Sequence, residues 1–191
     1  VPEISGQYSK YSRNVLGINP FEINYKNSGI EFNLKQPSEL GNDRICNIAA
    51  AVQKNRFPAI IIDFGTATTY DVVNELGVFI GGAIAPGIDT SAQNLINRAV
   101  QLTNTELKFP KNVISTNTKT NIQSGVMFGG LESVNGMIRR IIKELNIKKM
   151  DVILTGGFGE IMSEMLDIEH IYEPLLTLQG IESIFIRNRR A

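Results

Sequence analysis

Hydrophobic spacing changes repeatedly along the chain, and each change marks an element. Tyr8, Tyr11, Val15 and Leu16 recur three to four residues apart among polar neighbours, which predicts a short helix that Asn19-Pro20 ends. Phe21 to Tyr25 and Ile30 to Leu34 alternate about Lys26-Asn27-Ser28-Gly29, the pattern of two short strands. Ile45, Ile48, Ala49 and Val52 return to helical spacing just after Gly41-Asn42-Asp43-Arg44. Ala59 to Ile62 form an unbroken apolar run into Asp63, which predicts a buried strand; a polar turn over residues 65–69 and a second strand, Tyr70 to Val73, follow. A further turn at Glu75-Leu76-Gly77 leads to a third strand at Val78 to Ile80, after which Gly81-Gly82 and Pro86-Gly87 break the pattern and a helix begins near Asp89. Leu95, Ile96 and Ala99 carry its apolar face.

Beyond a linker at Leu107 to Pro110, the polar loop 115–120 opens the longest helix, which runs to Leu145. Thr120 with Gln123 has the spacing of a capping box, placing Thr118 just outside the helix. Met137, Ile138, Ile141, Ile142 and Leu145 make its core stripe, whereas Gly125, Gly129, Ser133 and Gly136 make a small face. Glycine inside a helix costs about 1 kcal/mol relative to alanine, so this face predicts close approach by the protein's own sheet or by a second subunit. Asp151 to Leu154 read as another buried strand ending in Thr155-Gly156-Gly157. A helix around Ile161, Met162, Met165 and Leu166, a strand at Ile168 to Tyr172 and a closing helix from Leu175 to Ile186 complete an α/β order.

Composition narrows the functions on offer. The 191 residues are 42% hydrophobic and 20% charged, the profile of a globular protein. Nineteen basic and nineteen acidic side chains cancel, so nothing in the charge favours DNA, RNA or an anionic membrane as partner. Arg187-Asn188-Arg189-Arg190 is the one basic cluster and reads as a solvated end. A single cysteine, Cys46, excludes an internal disulfide and reads as a small core residue; a single histidine, His170, excludes a Cys/His zinc site. Reduced cytoplasm is the expected compartment, and no apolar run approaches the ~20 residues needed to span a bilayer.

Candidate chemistry gathers on the central stretch. Gly65 allows a ligand to approach the backbone, Thr66, Thr68 and Thr69 offer hydroxyl donors, and Asp63 at the strand end can hold a cation, which together is the chemistry of a nucleotide phosphate site. Asp43 reads either as a helix cap or as a catalytic carboxylate, and Arg44 either as a surface ion pair or as a fork for an anionic group. Thr118 is either a turn residue or a ligand contact near a helix N-terminus. Gly156 and Gly157, at the end of a buried strand, either make a plain turn or open space for a nucleotide.

Four blocks resemble the type III pantothenate kinases: Gly41-Asn42-Asp43-Arg44, the turn from Asp63 to Thr69, Gly81-Gly82-Ala83-Ile84-Ala85-Pro86-Gly87, and Asn117-Thr118 with Ile122-Gln123-Ser124-Gly125. The resemblance implies a ribonuclease-H-like unit of the acetate and sugar kinase, Hsp70 and actin superfamily. It implies transfer of the γ-phosphoryl group of ATP to pantothenate, the first step of coenzyme A biosynthesis, by a homodimer whose substrate site is completed at the interface. By that resemblance Asp43 is the base, Gly41, Asn42, Asp43, Arg44 and Thr118 contact pantothenate, Gly65, Thr66, Gly156 and Gly157 contact ATP, and Asp63 binds potassium or ammonium beside a Mg²⁺ that accompanies ATP. Asn42 departs from the alanine that many members have. No Asp-x-Gly-Asn-Thr turn precedes Gly41. The expectation is therefore that residues 1–58 are the remnant of a truncated first half, that 59–191 form a complete second half, and that this chain alone is inactive. Two rivals stand beside this reading: a non-catalytic regulator on the same fold, and another phosphotransferase such as a sugar kinase or a phosphatase of polyphosphate.

Overall fold

Strand β1, Ala59–Phe64, is the axis of the structure, a computed structural model that describes residues 2–98 and 106–190. Its unbroken apolar run is buried on both sides: Ile60, Ile62 and Phe64 enter one core, and Ala59 and Ile61 enter another. Strand β2, Ala67–Val73, pairs with β1 antiparallel, and β3, Phe79–Pro86, pairs antiparallel with β2. Strands β4, Asp151–Thr155, and β5, Ile171–Tyr172, add on the other side in parallel, giving the order β3-β2-β1-β4-β5.

Helix α1 spans Pro2–Leu16, α2 Asn42–Gln53, α3 Ile88–Arg98, α4 Thr118–Leu145, α5 Gly159–Ser163 and α6 Leu176–Arg190. One sheet face is covered by α2 and α6, whose Ile45, Ile48, Leu176 and Ile184 pack with Ile61, Val73 and Ile153. Met127, Leu131, Val134 and Ile138 of α4 cover the other face with Ile88 and Met162. Helices α2 and α6 meet at their backbones, since a Cβ on Gly180 would fall on the Cys46 carbonyl oxygen. Gly130 similarly leaves room for Ile88, whose Cδ1 lies 2.5 Å from where a Cβ would stand.

Several sequence expectations give way to tertiary context. The two strands expected at 21–25 and 30–34 do not form. Asn27 and Ser28 side chains bind the Glu22 and Tyr25 carbonyls at 2.8 and 3.0 Å, holding the segment in turns, and only a single bridge joins Phe32 to Phe79. The alternation instead packs Ile23, Tyr25, Ile30, Phe32 and Leu34 as a loop on the α2 side. The turn after Asp63 shrinks to Gly65-Thr66, because Ala67 already pairs in β2. Gly81-Gly82 do not break β3: a Cβ on Gly82 would fall on the Tyr70 carbonyl oxygen, so the glycine admits close strand contact.

At the start of α4 the capping box is absent. The cap is Asn117, whose side chain accepts the Thr120 N–H at 3.0 Å, while Gln123 donates to the Glu106 carbonyl at 2.7 Å; Thr118 is thus the first helical residue. Helix α5 stops at Ser163, short of Met165 and Leu166, and β5 starts only at Ile171. The basic tail is no loose end, since α6 continues through it and Arg187 donates to the Gly29 carbonyl at 2.8 Å. The expected Ala99 end of α3 lies outside the described residues.

Candidate active site

Asp63 stands at the carboxyl end of β1, half-buried, on the face that α2 covers. The Asn47 amide, fully buried, donates to Asp63 Oδ2 at 2.9 Å, and its own oxygen accepts the Thr177 hydroxyl at 2.7 Å. Gly156 closes the other side. Its φ is +90°, and a Cβ there would strike Asp63 Oδ1 and lie 2.6 Å from the Phe64 nitrogen, so only glycine fits. Burial pushes the Asp63 carboxyl above its ordinary value, the Asn47 hydrogen bond pulls it back, and the nearby negative charge of Asp43 adds to the upward shift.

The two-residue turn beside it is exposed at Gly65 and Thr66, so both backbone and hydroxyl are open to a ligand. Its position is held from behind: the Thr66 carbonyl accepts the Gly87 N–H at 3.1 Å and the Thr90 hydroxyl at 2.7 Å. Gly87 is packed so closely that a Cβ would lie 2.5 Å from the Thr66 oxygen. The third glycine block thus serves the second by supporting its turn.

Asp43 lies in the first turn of α2 after the cap residue Gly41, exposed, with Oδ1 accepting the Arg44 backbone N–H at 2.8 Å. A Cβ at Gly41 would stand 2.5 Å from that oxygen. Asp43 therefore satisfies a helix-end donor and still faces solvent. Asn47 follows one helical turn later, so α2 connects the Asp43 end to Asp63. Asn42 and Asp43 line a groove of about 650 Å³ with Tyr8, Cys46 and Thr177. Burial, with a smaller contribution from Asp43, pushes the Cys46 thiol up to about 11, in keeping with its reading as a core residue.

Arg44, roughly 100° farther round the helix, turns away from this groove and lines another of about 550 Å³ with Lys35, Gly81 and Gly82. Its Nε and Nη2 donate to Asp71 Oδ1 at 2.9 and 2.6 Å. Thr118 lies across the sheet. With Thr68, Tyr70, Gly125, Gly129 and Ser133 it lines a groove of about 730 Å³ between α3 and α4. The structure thus brings Asp43, Asp63, Gly65, Thr66 and Gly156 to one end of the sheet, with Gly157 next to Gly156 and exposed, and leaves Thr118 elsewhere.

Sequence reasoning missed Asn47, Asp71, Gly87 and Thr90 as parts of this arrangement. Asn47 was findable at four residues from Asp43, and Asp71 at two from Thr69 on one strand face. The contacts of Gly87 and Thr90 with the turn had no local signal. Among the described residues no group of three or more His, Cys, Asp or Glu side chains converges. The donor set at Asp63, one carboxylate in an oxygen-rich turn, fits a weakly bound hard cation better than a multi-carboxylate metal site.

Comparison with known proteins bears on this geometry. A sequence model described as type III pantothenate kinase matches residues 1–140. A type III pantothenate kinase of Persephonella marina is 40% identical over 186 residues, covering 97% of this chain and 72% of that protein. Another, of Roseiflexus castenholzii, is 39% identical and covers 100% of this chain and 74% of its own length. The chain belongs to the type III pantothenate kinase family. A crystal structure described as a conserved putative Baf family transcriptional activator from Campylobacter jejuni superposes with a TM-score of 0.63 at 24% identity, covering 99% of this chain and 80% of the other. That likeness shows a shared α/β fold with a mixed sheet. Among the described residues no helix is long and apolar enough to cross a membrane.

Proposed function

We propose that this protein phosphorylates pantothenate with ATP, giving 4'-phosphopantothenate for coenzyme A biosynthesis in the cytoplasm. The observation that carries the reading is the convergence of an exposed carboxylate, Asp43, with the Asp63, Gly65-Thr66 and Gly156 phosphate turn in a member of this family. Phosphoryl transfer depends chiefly on positioning and on neutralising charge. Asp43 accepts the proton of the acceptor's primary hydroxyl, Gly41 and Asn42 hold the molecule beside it, and Arg44, in the neighbouring groove round the helix end, takes its far end. Gly65 and Thr66 meet ATP phosphate, and Gly156-Gly157 leave room for the nucleoside. Asp63 holds a monovalent cation, potassium or ammonium, which supplies positive charge beside the phosphates, and Mg²⁺ arrives with ATP.

The strand order β3-β2-β1-β4-β5, with only β2 antiparallel to both its neighbours, supports a ribonuclease-H-like unit of the actin-type ATPases. Thr118 enters the reading through a homodimer. Its groove lies on the face opposite Asp43 and is floored by the exposed Gly125 and Gly129, so within one chain Thr118 is apart from the acceptor beside Asp43, and only a second copy seated on this face would bring an acceptor to it. A coupled assay of ADP release with and without pantothenate tests the proposal. Pantothenate-dependent release supports it. Its absence in a folded, ATP-binding protein favours a regulatory role, the second reading, which the description of the Campylobacter relative as a transcriptional activator keeps in view.

A further inference from the structure

We propose that Asp71 is a positioning residue of the acceptor site, which clamps the Arg44 guanidinium so that its remaining N–H groups are held ready for the carboxylate of the bound acceptor. This rests on the reading of Arg44 as an acceptor contact. Asp71 is wholly buried, and the Arg44 side chain is 16% exposed. Both Nε and Nη2 of Arg44 donate to the same oxygen, Asp71 Oδ1, while Oδ2 lies 3.4 Å from the Thr69 hydroxyl. Two of the five guanidinium N–H groups are thereby used, and Nη1 has no partner among the described contacts. The Phe79 ring lies 6.0 Å from the guanidinium carbon, limiting its swing on another side.

Stability does not account for this pair. A buried ion pair roughly breaks even with an apolar pair of the same size, and the residues around Asp71 on this face, Ile61, Val73 and Phe79, are apolar and fully buried. An apolar pair at 44 and 71 would suit that core equally well. What an apolar residue cannot do is fix the direction of an arginine fork. A free arginine loses considerable rotamer entropy on binding a ligand, and a clamp that has already ordered it removes that cost. The groove in front of Arg44 leaves room for a ligand, since Gly81 and Gly82 contribute no side chains to its wall, and its lining carries a second cation, Lys35, and one carboxylate, Glu39. Asp71 also sits two residues beyond Thr69, which pairs with Asp63, so one strand braces the acceptor arginine at one point and borders the phosphate turn at another.

The test is steady-state kinetics of ADP release with each substrate varied in turn. Asp71→Asn keeps size and an acceptor oxygen but loses the charge; it is expected to raise the KM for pantothenate about tenfold, as loss of one charge-assisted hydrogen bond would, and to leave the KM for ATP within about twofold. Arg44→Gln should raise the same constant at least as far, and the double variant should be no worse than Arg44→Gln, because Asp71 acts only through Arg44. A merely structural Asp71 would disturb both constants and kcat together, which overturns the proposal, as does an unchanged pantothenate KM in Asp71→Asn or a full additional loss in the double variant. An Arg44→Gln variant with the parent's pantothenate KM would instead sink the reading of Arg44 itself, and ADP release indifferent to pantothenate in the parent would sink the proposed function. If Asp71→Asn does not fold, Asp71→Glu replaces it, keeping charge while moving it by one methylene. It too should raise the KM for pantothenate alone, and a parent-like value overturns the clamp.

Discussion

Asp43 and Asp63 are carboxylates at one end of the sheet, and their surroundings differ. Asp43 is exposed at a helix N-terminus, and the proposed function makes it the base toward an acceptor hydroxyl. Asp43→Asn is expected to leave the fold and ATP binding intact while lowering pantothenate-dependent turnover by roughly 100 to 10,000-fold, the usual range for a general base. Turnover in the folded variant within a few-fold of the parent would remove Asp43 from that role. Asp63 is held above its ordinary carboxyl value by burial. With the folded value above the unfolded one, its stabilising contribution is complete below the unfolded value and is lost as pH rises through the folded one. At neutral pH the ionised group is therefore a liability to the ligand-free fold. Asp63→Asn, which can still accept from Asn47, should raise Tm at pH 7 in potassium-free buffer, and the gain should vanish below the unfolded aspartate value of about 4. Added potassium should raise the Tm of the parent and not of the variant. Thermal denaturation at both pH values, with and without the salt, checks each part; a variant less stable at pH 7 would contradict the argument.

At the scale of elements, glycines settle how closely helices and turns approach one another, and each does so through one named contact. Gly180 lets α6 touch the backbone of α2 at Cys46. Because a carbonyl oxygen cannot move aside as a side-chain end can, Gly180→Ala should force the helices apart at about 1–3 kcal/mol, roughly 2–10 °C in Tm for a chain of this size. A change of less than one degree would show that the helix pair is more pliable than its packing indicates. Asn47 and Thr177 bridge the same two helices to Asp63, so displacement of α6 should also weaken nucleotide binding. Gly125 and Gly129 behave differently from Gly180 and Gly130, since added Cβ atoms there would meet nothing within 4 Å. Their helical cost gains no compensation among the described residues.

At the scale of the whole molecule, that open face is where the proposed dimer would form. Gly129→Leu is expected to keep the protomer folded, because the site is exposed, and to shift a dimer to monomer in sedimentation. A variant that sediments as the parent does would exclude this groove as the subunit contact. Much of the fold was legible without coordinates. The apolar run from Ala59, the helical stripes of α2 and α4 and the turn after Asp63 are local patterns whose periods name their elements. Asp63, Thr66 and Gly156 could be named as candidates from residue type and position, and Gly41 to Arg44 through the family resemblance; the structure places Asp43, Asp63, Thr66 and Gly156 at one end of the sheet. What chain order alone could not decide was whether alternation at 21–34 meant strands, since a strand exists only where a partner offers its backbone, and here local side-chain hydrogen bonds prevailed. Nor could it decide that Asn42 and Arg44 face different grooves, that Thr118 lies across the sheet from Asp43, or that Gly87 braces Thr66 and Asp71 grips Arg44. Those pairings depend on distances between residues far apart in sequence, and only the packed sheet, by bringing β1, β2 and α2 together, makes them short.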